Sequence, residues 1–260
     1  MNYSRQLKLL DPQQIKNKSI TIIGAGATGS YVASFLAQMG WGNTSFNQGK
    51  LKVFDGDVVE QHNLANQIYE ASHIGKPKVE ALKEVILRKC GFEIEVFNQM
   101  VNDKTPSELI QSTYVFILTD TMKSRKEIFE NHLKTAFNTD LVIETRMGLQ
   151  DGRIYSFNPH LGDHVKEWKA TLYDDNVAEA SLCGASQSII STVGFLSSLA
   201  VGRVIQHFNY QYGTDNIRGK TGGVDNEFIM WNEVHFSLYP ENFYLRCFGK
   251  EPIITVLNDN

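Results

Sequence analysis

The sequence contains few cysteines, with three among its 260 residues. Cys90, Cys183 and Cys247 lie far apart and form no C-x-x-C pair, and an odd number of cysteines cannot all pair with one another. Disulfide frameworks and structural zinc sites both need cysteines in pairs or clusters at short spacing. We therefore expect neither a disulfide framework nor a zinc ion.

The chain also lacks a long apolar run and an excess of positive charge. No run reaches the ~18 residues that a membrane-spanning helix requires, and residues 1–10 are too polar for a secretory signal. The 25 basic and 29 acidic residues give a net charge of −4, which is the wrong sign for nucleic acid or an anionic membrane. We expect a cytoplasmic protein that binds neither membrane nor nucleic acid.

A glycine-rich turn follows the first predicted strand. Residues 19–23 form a short, β-branched apolar run, and Gly24, Gly26 and Gly29 follow it with the spacing G-x-G-x-x-G. Apolar residues then recur at helical spacing, so a helix begins directly after the glycines. Backbone N–H groups at a helix start, with no side chains in front of them, suit a polyphosphate. A tight turn that only needs small residues has the same pattern.

Acidic residues end two further predicted strands. Asp55 ends the strand in LKVFDGD, and Asp120 ends the buried run at residues 114–119. Ligands of open α/β sheets gather at the carboxyl ends of parallel strands, so both carboxylates fall where a site is expected. Asp55 can accept hydrogen bonds from a ribose, although a turn or a helix cap also uses aspartate. Strand, glycines, helix, strand and acidic residue in this order predict a nucleotide site.

Two lysines flank the start of another predicted helix. Lys76 and Lys78 lie on either side of Pro77, a residue that suits the beginning of a helix. Positive charges at a helix N-terminus oppose the helix dipole unless an anion lies nearby. The pair therefore favours a bound phosphate, with an ordinary solvated lysine as the alternative.

The second half of the chain has a different pattern. Residues 146–157 are typical of a hairpin, and residues 159–182 show no clean period, which favours a mobile, substrate-facing loop. Residues 186–208 predict a long helix buried against the sheet or a second subunit. Residues 225–248 predict an antiparallel hairpin at the sheet edge. We expect one α/β domain: a Rossmann-like, doubly wound, mostly parallel central sheet with antiparallel C-terminal edge strands.

In chain order, the motifs resemble those of the ThiF/MoeB-like family of ubiquitin-activating-type adenylating enzymes. The matching segments are SRQ at residues 4–6, IIGAGATGS at 22–30, VFDGDVVEQHNLANQ at 53–67, IGKPKVEAL at 74–82, TDTMKSR at 119–125, and the hairpin RMGLQDGRIYSF. The resemblance implies ATP and Mg²⁺ as ligands. It also implies a homodimer that adenylates the C-terminal carboxylate of a small ubiquitin-like or sulfur-carrier protein or peptide.

The resemblance further implies roles for single residues. Asp55 matches the aspartate that holds the ribose, Asn63 matches an asparagine beside the phosphates, and Lys78 matches the lysine that contacts them. Asp120 matches the aspartate that binds or positions Mg²⁺. Arg5 matches an arginine that reaches across the dimer interface to the partner's ATP. By the same resemblance, residues 1–140 would hold the nucleotide and residues 141–260 the substrate and the dimer contact.

One residue departs from the family pattern N-L-x-R-Q. Asn66 stands where that pattern has a catalytic arginine. Asparagine donates hydrogen bonds but supplies no charge, and loss of one charged group at a nucleotidyl transfer commonly costs a few kcal/mol. Either another cation, with Lys76 and Arg146 as candidates, replaces the arginine, or the chain binds nucleotide without turning it over well.

Cys183 allows two interpretations. It precedes the long predicted helix, whose dipole lowers a thiol pKa and favours the thiolate, and a family cysteine near this position can take the activated carboxylate. The neighbouring Gly184 and Ala185 instead favour a small, tightly packed cysteine. Both interpretations stay open.

Three other functions share part of the pattern. A catalytically weak nucleotide-binding scaffold of the same fold fits Asn66. An NAD-dependent oxidoreductase would share the glycine turn, but it has no obvious use for the asparagine-rich segment or for GKPK. An ATP-dependent RNA-modifying enzyme of the same fold is disfavoured by the negative net charge.

Overall fold

The structure, a computed structural model, describes residues 3, 6, 10, 15–43, 49–178, 189–212, 231–238, 241–250 and 253–256. The strands in these residues are β1 (Ile20–Ile23), β2 (Leu51–Phe54), β3 (Glu95–Phe97), β4 (Tyr114–Ile117), β5 (Leu141–Met147), β6 (Asp151–Phe157), β7 (Glu233–Leu238), β8 (Glu241–Arg246) and β9 (Ile253–Val256). The helices are α1 (Ala27–Gln38), α2 (Lys78–Cys90), α3 (Ser107–Ile110), α4 (Met122–Ile128), α5 (Gly162–Ala170), α6 (Asp175–Ala178) and α7 (Ile190–Tyr212). Short 3₁₀ turns cover Gln61–Ala65 and Ala71–His73, and a π-helical turn at Phe129–Leu133 extends α4.

The described strands form one sheet with the order β3-β2-β1-β4-β5-β6-β7-β8-β9. The pairs from β3 to β5 are parallel, and the pairs from β5 to β9 are antiparallel. This confirms the predicted fold class. Because the chain runs from β1 to β2 on one side and later places β4 on the other, the strand order reverses at β1. Such a switch point is where open α/β sheets bind ligands.

Helices cover both faces of the parallel half. Ile20 and Ile22 of β1 belong to a core cluster with α1, α2 and α7 on one face, whereas Ile23 belongs to a second cluster with α4 and α5 on the other. All four residues of β1, β2 and β4 are buried. Burial on both faces is the reason that these strands are mostly apolar rather than alternating. The one charged residue in them, Lys52 of β2, donates hydrogen bonds from its Nζ to the Leu109 and Gln111 carbonyl oxygens.

The prediction of an irregular loop at residues 159–182 is wrong for much of that segment. Residues 162–170 form α5 and residues 175–178 form α6; residues 179–182 lie outside the described part of the chain. Trp168 of α5 is fully buried, and its ring stacks on Phe157 at 4.8 Å between centroids and lies 5.1 Å from Phe129. One large aromatic therefore anchors a helix that is too short and too polar to show a clear period.

Replacing Trp168 with alanine should lower the free energy of unfolding by about 3–5 kcal/mol, because it leaves a large cavity between β6 and α4. Denaturant unfolding followed by circular dichroism measures this change. The matched control is Phe137→Ala, since that ring is 90% exposed. Equal, small effects of the two substitutions would show that α5 is not anchored by its tryptophan.

The predicted C-terminal hairpin exists but does not form the sheet edge. β7 and β8 pair in an antiparallel manner, as expected, and β9 then pairs with β8 on its outer side. A strand of only four residues after the hairpin was too short a pattern to identify. The predicted long helix is α7, whose described residues begin at Ile190. Among the described residues, no helix has both the length and the apolar character needed to span a membrane.

Candidate functional site

The three glycines between β1 and α1 have different surroundings. Gly24 has φ of +104°, and a Cβ there would lie 2.6 Å from the Leu118 carbonyl oxygen. A Cβ on Gly29 would lie 1.9 Å from the Gly24 carbonyl oxygen. Only glycine allows these two close approaches. At Gly26, by contrast, a Cβ would meet no protein atom within 4 Å, so the turn is open in front of this residue.

The N-terminus of α1 begins at that open position. Gly26 is its N-cap, no side chain caps it, and no acidic residue lies in its first turn. The positive end of this 12-residue helix therefore faces the same space as Gly26. Open space in front of a glycine, beside helix N–H groups that no side chain caps, has the chemistry that a phosphate requires.

Asp55 fixes the end of β2 to the glycine turn. Its side chain is buried, with Oδ2 accepting a hydrogen bond from the Ala25 N–H at 2.7 Å and Oδ1 accepting one from the Asp57 N–H at 2.8 Å. The Tyr69 hydroxyl donates to the Ala25 carbonyl at 2.6 Å. Burial, and then the charges of Asp55 and Asp57, raise the pKa of Tyr69, so the phenol stays a neutral donor. Each carboxylate oxygen of Asp55 keeps a second acceptor position.

Lys78 lies at the same end of the sheet. It is the first residue of α2 and only 8% exposed, and its Nζ donates to Asp57 Oδ2 at 2.9 Å. The Asp57 side chain is half exposed, so this ion pair faces solvent on the carboxylate side. Asn63 is buried, and its Oδ1 accepts a hydrogen bond from the Glu60 N–H at 2.8 Å.

Asp120 follows the neighbouring strand end. Ile23 pairs with Phe54 on one side and with Ile117 on the other, so β2 and β4 end at the same level of the sheet. Parallel strands lie ~4.8 Å apart, which places the two ends ~10 Å apart across β1. Asp120 is exposed at the end of β4, and the structure thus brings it to the edge that also holds Asp55, Lys78 and the glycine turn.

The candidate replacements for the missing arginine differ in their surroundings. Asn66 is half buried at the end of the turn Gln61–Ala65. Lys76 is half exposed, and its Nζ lies 2.9 and 2.8 Å from the two Glu84 carboxylate oxygens, a pairing that solvent weakens. Arg146 is buried and already binds Glu144 and Thr171. Of the two candidates, Lys76 is the one that retains access to solvent.

Two predicted site residues, Arg5 and Cys183, lie outside the described residues. Burial raises the pKa of the Cys90 and Cys247 thiols, which disfavours their thiolates. In the described ranges, no group of three or more His, Cys, Asp or Glu side chains is placed to hold a metal ion. A magnesium ion would therefore take most of its ligands from phosphates and water, as Mg²⁺ commonly does.

Sequence reasoning missed two residues that shape this site. Asp57 forms an ion pair with Lys78, and the Tyr69 hydroxyl donates a hydrogen bond to the Ala25 carbonyl of the glycine turn. The signal for Asp57 was the repeated acid in Asp-Gly-Asp. The signal for Tyr69 was that it is the one tyrosine, and the only Phe, Trp or Tyr, in the connection at residues 58–75.

Comparisons with known proteins identify the family. The model of the ThiF family matches residues 3–242. A probable molybdopterin-synthase adenylyltransferase from Porphyra purpurea is 27% identical over 198 residues, which cover 72% of this chain and 49% of the relative. The molybdopterin-synthase adenylyltransferase of Escherichia coli (strain K12) is 25% identical over 207 residues, which cover 76% of this chain and 79% of the relative. The chain thus spans about half the length of the first relative.

Solved structures show the same fold at low identity. PaaA superposes with a TM-score of 0.61 and 18% identity, covering 94% of this chain and 66% of PaaA. Escherichia coli MccB with ATP gives a TM-score of 0.58 and 15% identity, covering 94% of this chain and 68% of MccB. With a family model that matches nearly its whole length, this chain belongs to the ThiF family.

Proposed function

We propose that this chain binds ATP and transfers its adenylyl group to the C-terminal carboxylate of a small ubiquitin-like or sulfur-carrier protein or peptide. In this reaction a carboxylate oxygen bonds to the α-phosphorus, the bond to the β-phosphate bridge breaks, and pyrophosphate leaves with the electron pair. The observation that carries the proposal is the open space at Gly26, at the uncapped start of α1 and beside Asp55 and Lys78. Family membership and the names of the relatives support it.

Attack of one anion on another requires positive groups and fixed geometry. The N–H groups at Gly26 and the first turn of α1 would bind phosphate oxygens. Lys78 would exchange its contact with Asp57 for a phosphate, and Asn63 would lie beside it. Asp55 would accept hydrogen bonds from the ribose through its second acceptor positions.

Mg²⁺ would fit between the phosphates and Asp120. The exposed carboxylate at the end of β4 is an oxygen ligand of the kind that Mg²⁺ prefers. When bound, the ion would neutralise phosphate charge and hold the triphosphate in one orientation. Asp120 would fix that orientation relative to the glycine turn.

We propose further that residues 1–140 hold the nucleotide, whereas residues 141–260 hold the substrate and a second subunit in a homodimer. The support for this arrangement is membership of the family. In that arrangement Arg5 would reach the partner's nucleotide. Cys183 is the candidate acceptor of the activated carboxylate.

A second candidate function is a nucleotide-binding scaffold that turns ATP over poorly. Asn66 is the observation that favours it, because the family pattern has an arginine there. The test that separates both candidates from an NAD-dependent oxidoreductase is calorimetric titration with ATP and with NADH, followed by ATP–pyrophosphate exchange in the presence of small proteins and peptides. Binding of ATP with exchange supports adenylation, binding of ATP without exchange supports the scaffold, and preference for NADH contradicts both.

Replacing Asn66 with arginine should raise ATP–pyrophosphate exchange by about 10-fold or more, since it restores a charge where negative charge develops. The control is Asn66→Gln, which keeps the amide and should leave the rate low. If Asn66→Arg has no effect and Lys76→Ala abolishes exchange, Lys76 supplies the missing charge.

A further inference from the structure

Arg125 holds the backbone immediately before Asp120. The arginine lies on α4 and is almost fully buried. Its Nη2 donates to the Thr119 carbonyl at 2.6 Å and to the Thr145 carbonyl at 3.2 Å. One guanidinium therefore ties the end of β4 to β5, one residue before the exposed Asp120.

A buried carboxylate keeps that arginine in place. Glu144 is 0% exposed, and its Oε1 lies 3.1 Å from Arg125 Nε, close enough for an ion pair although the alignment is not that of a hydrogen bond. The same carboxylate accepts hydrogen bonds from Arg146 Nε at 3.1 Å and Arg146 Nη2 at 2.9 Å. Burial lowers the pKa of Arg146 and the Glu144 charge raises it, with a net upward shift. The cluster thus contains two guanidinium groups that share one buried carboxylate.

A second anchor holds the backbone after Asp120. Asp175 accepts hydrogen bonds from the Met122 N–H at 2.6 Å and from the Lys123 N–H at 3.0 Å. The segment on either side of Asp120 is therefore fixed, while the Asp120 side chain is exposed. The Asp120 carboxylate therefore projects from a rigid backbone. A fixed position lowers the entropy that is lost when a ligand group is brought to a metal ion.

We propose that Arg125 is a positioning residue that sets the location of the Asp120 carboxylate for Mg²⁺, with Glu144 as its buried counter-charge. The inference rests on the proposed role of Asp120. It depends on the fork of the guanidinium, whose separate N–H groups reach Glu144 and two carbonyl oxygens. A lysine at this position would keep the charge but could not make these contacts together.

The test is the gain in ATP affinity that a divalent ion provides, measured on the full chain by calorimetry with and without Mg²⁺. Binding of Mn²⁺ to the ATP complex, followed by electron paramagnetic resonance, is the second readout. Arg125→Lys should reduce the metal-dependent gain by about 10-fold and weaken Mn²⁺ binding, while affinity for metal-free ATP stays unchanged. If Arg125 were purely structural, Arg125→Lys would lower the melting temperature but would not weaken metal-dependent ATP binding while leaving metal-free ATP binding unchanged.

Two further variants keep the test decisive. Asp175→Ala removes the other anchor at a half-buried position, so it should reproduce the metal effect even if Arg125→Lys does not fold. Arg88→Lys, on the exposed side of α2, should behave as the unsubstituted chain. Normal metal dependence in folded Arg125→Lys and Asp175→Ala would overturn the inference and leave the proposed function intact. Failure of the unsubstituted chain to bind ATP would overturn both.

Discussion

Replacing Asp120 with alanine should lower ATP–pyrophosphate exchange by about 100-fold or more without unfolding the chain. The carboxylate is exposed at the end of β4, so its removal leaves no cavity and no buried polar group. What is lost is the oxygen ligand proposed to hold Mg²⁺ on the phosphates, where charge neutralisation contributes several kcal/mol to the transition state. The measurement is exchange with a carrier or peptide that supports it in the unsubstituted chain.

Glu127→Ala is the matched control for that substitution. Glu127 is another exposed carboxylate, and it lies on α4, the helix that follows Asp120. Its removal should change neither exchange nor the melting temperature. Undiminished exchange in the Asp120→Ala variant would contradict the assignment of this residue to the metal.

Replacing Gly26 with valine should lower the affinity for ATP by about 10-fold or more while the melting temperature stays nearly unchanged. A Cβ at Gly26 meets no protein atom within 4 Å, so a side chain at this position begins in open space rather than against the protein. It would nevertheless occupy the space in front of the α1 N-terminus, where the phosphates are proposed to bind. Calorimetric titration with ATP, together with thermal unfolding, measures both quantities.

Gly29→Val provides the opposite control. A Cβ at Gly29 would lie 1.9 Å from the Gly24 carbonyl oxygen, so the backbone must move and the chain should be strongly destabilised. The two substitutions place the same side chain within one turn and separate folding from binding. Full ATP affinity in Gly26→Val would show that no phosphate binds at this turn.

The fold was predictable because its centre consists of short, mostly apolar strands rich in β-branched residues. β1, β2 and β4 are buried along their whole length, and each is followed by a polar or glycine-rich turn at the edge that carries the candidate site. The hairpin of β5 and β6 was likewise recognisable from its turn residues. The roles of Asp55, Asn63, Lys78 and Asp120 stay predictions, although the structure brings Asp55, Lys78 and Asp120 to one edge of the sheet.

The remaining features depend on tertiary contacts that leave no local pattern. α5 exists because Trp168 packs against two other aromatic rings, and neither ring is near it in sequence. The contact of Arg125 with Glu144 joins residues on α4 and β5. The periodicity of a sequence shows which face of a helix or strand is apolar. It does not show which charged residues of two different elements will pair, because that depends on how the elements pack in the folded chain.

If this site activates a terminal carboxylate with ATP, pyrophosphate exchange must depend on a free carboxylate in the acceptor. The acceptors should be small proteins and peptides in matched pairs, one with a free C-terminus and one with an amidated C-terminus. Exchange should occur with at least one free acceptor and should be absent with its amidated partner. ATP binding without exchange for every free acceptor, or equal exchange with an amidated one, would show that this site does not activate a terminal carboxylate.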